Sequence, residues 1–163
     1  MRRSKPGQCL PRGTGGGSPV WAWIRLVGLL GWLFSAGLPA ETCDLVVIVN
    51  PQSGVEQLTK AEVINIFLGR QKKLPSGKAA LAVDLNSANA EKQQFYAQLV
   101  SKELAEINSY WARLIFSGQG SPPRQAEATD EVLDIVENNI GAIGYVKSAQ
   151  VNPRVKVVYT LGH

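Results

Sequence analysis

The chain has 163 residues, with 17 lysines and arginines against 13 acidic residues, and its formal net charge is +4. Five of the basic residues and none of the acidic ones precede Glu41, so the rest of the chain carries 12 basic and 13 acidic side chains, a net charge of −1. The positive charge therefore belongs to the N-terminal segment, and the composition argues against a nucleic-acid partner.

The first 40 residues have the pattern of a secretory signal peptide. Basic residues precede a 13-residue apolar run, residues 26–38, and small residues follow it up to Ala40. The run is short for a bilayer core of about 30 Å, so we expect cleavage after Ala40 and export to the periplasm. An uncleaved membrane anchor is the alternative, and translation that starts nearer Val20 would explain the long basic start. Residues 41–163 would then form one domain.

The cysteines say little about the fold or the function. Cys43 is the only cysteine after residue 40, because Cys9 lies in the predicted signal peptide. The exported domain therefore has no internal disulfide. Lipid attachment to Cys43 is one interpretation, although residues 40–42 lack the small and apolar residues that we expect before a lipidated cysteine. A free thiol or an intermolecular pair is the other.

After residue 44 the sequence alternates strand and helix patterns. Residues 45–49, LVVIV, form a continuous apolar run that is typical of a strand covered on both faces. Asn50 to Gly54 breaks this run in a loop. Thr59 is predicted to cap the first helix, Glu62 to complete a capping box, and Gly69 to end the helix.

The middle of the chain predicts a second strand over residues 79–85 and a helix over residues 91–99. The next helix has apolar residues at i, i+3, i+4, i+7 and i+8, which indicates one buried face, and it ends at Gly118. These residues are Ile107, Tyr110, Trp111, Leu114 and Ile115. Residues 117–124 read as a Gly/Pro loop.

The last third predicts one more helix and two strands. Val132, Leu133, Val136 and Ile140 recur at helical spacing. Asn138-Asn139 and Gly141 should end this helix, because both residue types tolerate left-handed backbone. Residues 142–146 and 155–160 predict the closing strands. Strands separated by single helices indicate an α/β fold with a parallel or mixed sheet and helices on both faces.

This order of elements resembles the second lobe of the phosphate-type periplasmic substrate-binding proteins. Residues 58–69, LTKAEVINIFLG, and residues 141–146, GAIGYV, carry the resemblance, which covers nearly all of residues 45–150. It implies a three-layer α/β single lobe of the type II periplasmic-binding-protein-like fold, with a mixed sheet. It also implies phosphate or a related small anion as the ligand, supplied to an ABC transporter, and no cofactor.

Two features depart from that family. The family encloses its ligand between two lobes, and the 123 residues after Ala40 supply only one. Two chains facing each other as a homodimer would restore a two-lobed cleft. Where the family has an Arg and a Ser-Gly-Thr-type turn, this chain has residues 83–90, VDLNSANA, in which Asp84 would repel an anion.

The candidate ligand site lies at the start of the helix after the second strand. Its residues are Asn86, Ser87, Asn89 and Lys92. A helix N-terminus offers free N–H groups and the positive end of the helix dipole, and these side chains would add donors and one ammonium. The alternative interpretation is that the polar residues only cap the helix and that Lys92 is solvated.

The sequence contains few residues that could form a catalytic or metal site. The only His, His163, and the only Cys after residue 40 lie near the ends of the predicted domain, so no nucleophilic Cys/His or Ser/His arrangement is predicted. No metal-ligand spacing occurs. Ser53-Gly54 and Ser117-Gly118 read as ordinary loops, and the apolar stripe predicts that Trp111 packs in the core rather than serving as a stacking platform.

Two functional hypotheses follow, and neither is an enzyme. The first is an exported binding module for phosphate or a related anion that works with an ABC permease, as the resemblance implies. The second is a ligand-free interaction module that docks onto an envelope partner such as a sensor or membrane protein. A large exposed apolar patch in place of the missing lobe would favour the second.

Overall fold

The computed structural model describes residues 44–162, so the predictions on the signal peptide, Cys43 and His163 lie outside the described residues. Within that range the elements, in chain order, are β1 (Leu45–Val49), a 3-10 turn (Pro51–Ser53), α1 (Lys60–Phe67), β2 (Leu81–Leu85), α2 (Ala90–Val100), α3 (Leu104–Phe116), β3 (Arg124–Ala126), α4 (Thr129–Asn138), β4 (Ala142–Lys147), a 3-10 turn (Ser148–Gln150) and β5 (Lys156–Thr160). Across residues 44–162, none of the helices has both the length and the apolar character that crossing a membrane requires.

The five strands form one mixed sheet in the order β3-β2-β4-β1-β5. β2 runs parallel to both of its neighbours, with Val83 opposite Arg124 and Leu81 opposite Ala142. β1 is antiparallel to β4 and β5, and all its residues are buried. This position explains why its sequence is continuously apolar. The mixed α/β sheet predicted from the sequence is confirmed.

Helices cover both faces of the sheet, as predicted. On one face α4 packs against β4, where a Cβ built on Gly144 would lie 2.6 Å from Cγ1 of Val132. Glycine at this position therefore lets the helix and the strand approach closely. On the other face, Tyr145 of β4 stacks on Phe95 of α2 with ring centroids 3.8 Å apart, and Phe67 of α1 meets Phe95 edge-on at 4.8 Å. Within residues 44–162, the buried side chains form one hydrophobic cluster around the sheet.

The start of α1 follows its sequence signature. The Thr59 side chain accepts a hydrogen bond from the Glu62 N–H, and a Glu62 carboxylate oxygen accepts from the Thr59 N–H at 2.8 Å. The helix ends at Phe67, and Gly69 follows with a φ of +70°. A Cβ on Gly69 would lie 2.8 Å from Cη2 of Trp111, so this glycine is needed for both its backbone angle and its contact.

α4 ends where the sequence predicted, but it does not end through a left-handed residue. Asn139 has an extended backbone, with φ −130° and ψ 114°, rather than a left-handed one. Asparagine side chains cap the last carbonyls instead: Asn138 and Asn139 donate to the carbonyls four residues earlier, and Asn50 donates to those of residues 136 and 137 at 3.0 and 2.7 Å. Gly141 is required because a Cβ there would lie 2.1 Å from the Ala79 carbonyl oxygen.

Two residues of the predicted buried stripes are exposed. Ile140 lies beyond the end of α4 and is 45% exposed, and Ile115 in the last turn of α3 is 55% exposed. Periodicity alone cannot show where a neighbouring element stops covering a helix. The strand β3 was also missed, since its three residues follow a Pro-rich loop and are too few to show alternation.

Candidate functional site

The predicted site lies at one edge of the sheet, where β2 and β3 end. These strands are parallel, and their last residues, Leu85 and Ala126, are paired. Residues 86–89 then lead into α2, and residues 127–128 lead into α4. We call these two loops, together with the first turns of α2 and α4, the carboxyl edge. In open α/β sheets, ligands bind outside the carboxyl ends of the strands.

The asparagines of the candidate site tie the two loops together. Asn86 Nδ2 donates to the Glu127 carboxylate at 2.6 Å, and its Oδ1 accepts from the Ala88 N–H at 3.0 Å. Asn89 Nδ2 donates to Asn86 Oδ1 at 2.8 Å and to the Glu127 carbonyl at 3.2 Å. The structure thus brings Asn86 and Asn89 together, while Ser87 lies beside them with an exposed side chain.

The helices that begin at the carboxyl edge lack side-chain caps. Asn89 precedes α2 and Ala128 precedes α4, and neither side chain accepts a hydrogen bond from its helix. The alternative interpretation of Asn89 as a simple cap is therefore wrong. α1 and α3, in contrast, each begin with a capping box. Uncapped N–H groups at a helix start must bond to water or to a ligand.

A buried polar network that the sequence alone does not reveal lies beneath this edge. Lys92 Nζ is 3.0 Å from Asp84 Oδ2, and both side chains are at most 4% exposed. The Tyr96 hydroxyl donates to the same oxygen at 2.9 Å, and the Tyr145 hydroxyl donates to Asp84 Oδ1 at 2.6 Å. The expectation of a solvated Lys92 is wrong. Its ammonium neutralises Asp84, the carboxylate that we expected to repel an anion.

Burial gives the two tyrosines of this network raised pKa values. Desolvation is the main cause for Tyr96, and the nearby Asp84 charge adds to it. The pKa of Tyr145 is raised for the same two reasons, although the Leu85 N–H donates to its oxygen and opposes the shift. Both phenols therefore stay protonated and remain donors to Asp84.

The surface of the carboxyl edge is acidic. Glu127 and Asp130 are exposed, and Glu131 is half-buried with its carboxylate accepting from the Glu127 N–H at 2.8 Å. Glu91 in the first turn of α2 pairs with Lys147, the last residue of β4, at 2.7 Å. Its hydrogen bond from Lys147 lowers the pKa of Glu91. These carboxylates oppose anion binding through the free N–H groups.

The remaining sequence candidates lie away from this edge. Ser53 follows β1, which runs opposite to β2, and its buried hydroxyl accepts from the Val55 N–H at 3.3 Å. Ser117 donates to the Leu114 carbonyl at 3.2 Å before the start of β3. Trp111 is 7% exposed, so the prediction of core packing is confirmed. Within residues 44–162, no group of three or more His, Cys, Asp or Glu side chains is placed to hold a metal ion.

Several solved structures are similar to this fold. An ABC-type phosphate transport receptor from Vibrio cholerae is 14% identical, and the match covers 71% of this chain and 45% of that one with a TM-score of 0.57. A phosphate ABC transporter substrate-binding protein with bound phosphate from Clostridium perfringens is 19% identical, with 71% and 44% covered and a TM-score of 0.55. PstS from Borrelia burgdorferi is 12% identical, with 71% and 46% covered and a TM-score of 0.53.

This chain spans under half the length of these solved structures. At identities of 12 to 19%, the likeness establishes the fold alone, and it confirms the single α/β lobe that the sequence resemblance implied. The first two structures are named for phosphate transport and not for an enzymatic activity. No family model matches the sequence, and no curated protein matches it.

Proposed function

We propose that this chain is an exported, single-lobe binding module that takes a small oxyanion such as phosphate at the N-terminus of α2, for an ABC permease. The observation that carries the proposal is the pair of uncapped helices at the carboxyl edge, whereas the other two α-helices within residues 44–162 have capping boxes. The N–H groups of Ala90 and Glu91 would donate to the anion, helped by the positive end of the helix dipole.

The four residues of the candidate site have distinct roles in this proposal. Asn86 and Asn89 hold the two loops in place through their bonds to Glu127, and their side chains leave the helix start open. The exposed hydroxyl of Ser87 is available as a donor. Lys92 acts from beneath the site, because its ammonium cancels the charge of Asp84 without reaching the surface.

A single lobe leaves the anion open to water on one side, whereas most binding sites bury most of the ligand surface. A second copy of the chain that faces the carboxyl edge would complete the enclosure. We therefore expect oxyanion binding to promote a homodimer, which sedimentation velocity with and without phosphate would detect. Neither the binding nor the dimer requires a cofactor, and the module is not an enzyme.

The second candidate function is a ligand-free interaction module. The acidic side chains at the carboxyl edge favour it, because the only lysine among residues 86–92 and 127–131 is already paired with Asp84. An acidic edge of this kind would suit a basic surface on an envelope partner such as a sensor protein. In this case the carboxyl edge would bind the partner protein instead of an anion.

Calorimetric titration of residues 41–163 with inorganic phosphate and sulfate, at matched ionic strength against chloride, tests the first proposal. The variant Ser87→Asp adds a negative charge on an exposed side chain at the site, so it should raise the phosphate Kd about tenfold. Ser76→Asp is the matched control, because it adds the same charge in the exposed α1–β2 loop at the opposite edge of the sheet.

Saturable phosphate binding that Ser87→Asp weakens and Ser76→Asp leaves unchanged would support the oxyanion site. Equal weakening by both variants would mean that the phosphate Kd depends only on the net charge of the protein and not on a site at Ser87. No binding at about 10 mM phosphate would rule out a useful oxyanion site in the isolated lobe and favour the interaction module.

A further inference from the structure

A cavity of about 700 Å³ lies at the edge of the sheet opposite to the carboxyl edge. Its walls come from the start of the α1–β2 loop, residues 68–72, from residues 80–82 at the start of β2, and from the α3–β3 loop, residues 118–123. We call it the amino-edge cavity. Its volume falls within the range of small-molecule sites, about 300 to 1,000 Å³.

The order of the strands creates this space. β3 begins at Arg124, which pairs with Val83, so Leu81 and Ala82 of β2 have β4 on one side and no β3 residue on the other. The chain before Arg124 is a glycine- and proline-containing loop that lies away from β2 and leaves the cavity between them. The opening is therefore a consequence of a short edge strand.

Three cationic side chains line the amino-edge cavity, and no acidic side chain does. They are Arg70, Lys72 and Arg124, and each is exposed. Of the ion pairs found within residues 44–162, none involves any of these three residues. A cluster of unpaired cations around a concave surface attracts an anionic ligand.

The cavity wall also contains an aromatic ring. This ring belongs to Trp111, which is 7% exposed, and its Nε1 is buried and has no hydrogen-bond partner among the described residues. The ring is held by close packing against Gly69. Gly69 and Gly120, which also line the cavity, lie next to the six-membered ring of Trp111, so this ring forms an apolar part of the wall.

We propose that the amino-edge cavity binds a small organic anion, a phosphate ester or carboxylate attached to a planar or apolar body. Arg70 and Arg124 hold the anionic group. The body of the ligand packs against the apolar part of the wall, which includes Leu114 and Pro122. This site is separate from the oxyanion site at α2 and does not depend on it.

The sheet and the core cluster lie within residues 44–162, so the fragment 41–163 is used. It contains one tryptophan, Trp111, which lines the cavity, so its fluorescence reports on ligand binding there. The titrated probes are phenyl phosphate and phenylacetate, with benzyl alcohol as a neutral counterpart and inorganic phosphate as an anion without a body. We expect a saturable change with the two aromatic anions and none with benzyl alcohol.

Charge-removing variants locate the binding. Arg70→Gln combined with Arg124→Gln should raise the Kd of phenyl phosphate about tenfold, because both lost contacts are charge-assisted. Lys73→Gln combined with Lys78→Gln is the matched control, since it removes two positive charges from exposed residues outside the cavity wall, and its effect should be under about twofold. Ser87→Asp should leave this Kd unchanged, which separates the site from the one at α2.

Three results would overturn the proposal. The first is no saturable fluorescence change with either aromatic anion. The second is equal weakening by the double lysine control and by the double arginine variant. The third is binding of an acidic peptide without binding of the small anions, which would identify the uncovered start of β2 as a peptide-docking edge instead.

Discussion

The buried pair of Lys92 and Asp84 makes a strong prediction about stability. Lys92→Met keeps the length of the side chain but removes the ammonium, so a carboxylate that is almost fully buried loses its counter-charge. Breaking a buried ion pair by removing one partner costs about 3 to 5 kcal/mol. Tyr96 and Tyr145 still donate to Asp84, so we expect a loss near the lower limit, about 3 kcal/mol.

The measurement is urea and thermal unfolding of residues 41–163, followed by circular dichroism. For a domain of this size, a loss of about 3 kcal/mol lowers the Tm by roughly 10 °C. Lys102→Met is the matched control, because Lys102 pairs with Glu106 at 2.7 Å while both side chains are more than half exposed. Breaking that pair should cost less than about 1 kcal/mol.

A double variant isolates the role of charge. In Asp84→Asn combined with Lys92→Met, the buried position carries no charge, and its amide still accepts from a tyrosine hydroxyl. We expect it to be more stable than Lys92→Met alone. If Lys92→Met unfolds at the same urea concentration as Lys102→Met, then Lys92 does not compensate a buried charge, and our view of how this edge tolerates Asp84 is wrong.

Three further predictions test the packing and the charges around the sheet. Gly144→Ala should lower stability by about 2 kcal/mol, because its Cβ would overlap Val132, and a wild-type urea midpoint would contradict this contact. Asn50→Ala removes the donor to two α4 carbonyls and should cost about 2 kcal/mol, with amide exchange fastest at the end of α4; exchange that is unchanged there would refute the capping role. The hydrogen bond from Lys147 lowers the pKa of Glu91, so its contribution to stability is present above the usual glutamate pKa and is lost as the pH falls through the lowered value. Glu91→Gln should flatten the fall in urea midpoint between about pH 6 and pH 3, and an equally steep fall in this variant would refute the linkage.

Much of the fold could be predicted because its signals are local. The apolar run of β1, the capping box at Thr59 and the sequence of β4 each depend on a few neighbouring residues, and the structure confirms all three elements. The exposure of Ile140 and Ile115 could not be predicted in this way, because it depends on where another element stops. β3 has only three residues, too few to show the apolar alternation that predicts a strand.

The chemistry beneath the candidate site required the three-dimensional structure. Asp84 and Lys92 are visible as charges in the sequence, but their pairing depends on how α2 lies across β2. Tyr145 reaches Asp84 from 61 residues further along the chain. The unpaired N–H of Trp111 is equally hidden, because the apolar stripe of α3 shows that the ring is buried but not whether its nitrogen finds an acceptor.

The central claim is that the start of α2 binds a small oxyanion. A titration of isotope-labelled residues 41–163 with inorganic phosphate, followed by amide NMR, tests it most directly. We predict saturable shifts concentrated at the amides of residues 87–91, with smaller shifts at residues 128–131 and none in the α1–β2 loop. Shifts confined to other regions, or none that saturate, would contradict the claim and leave the interaction module as the better account.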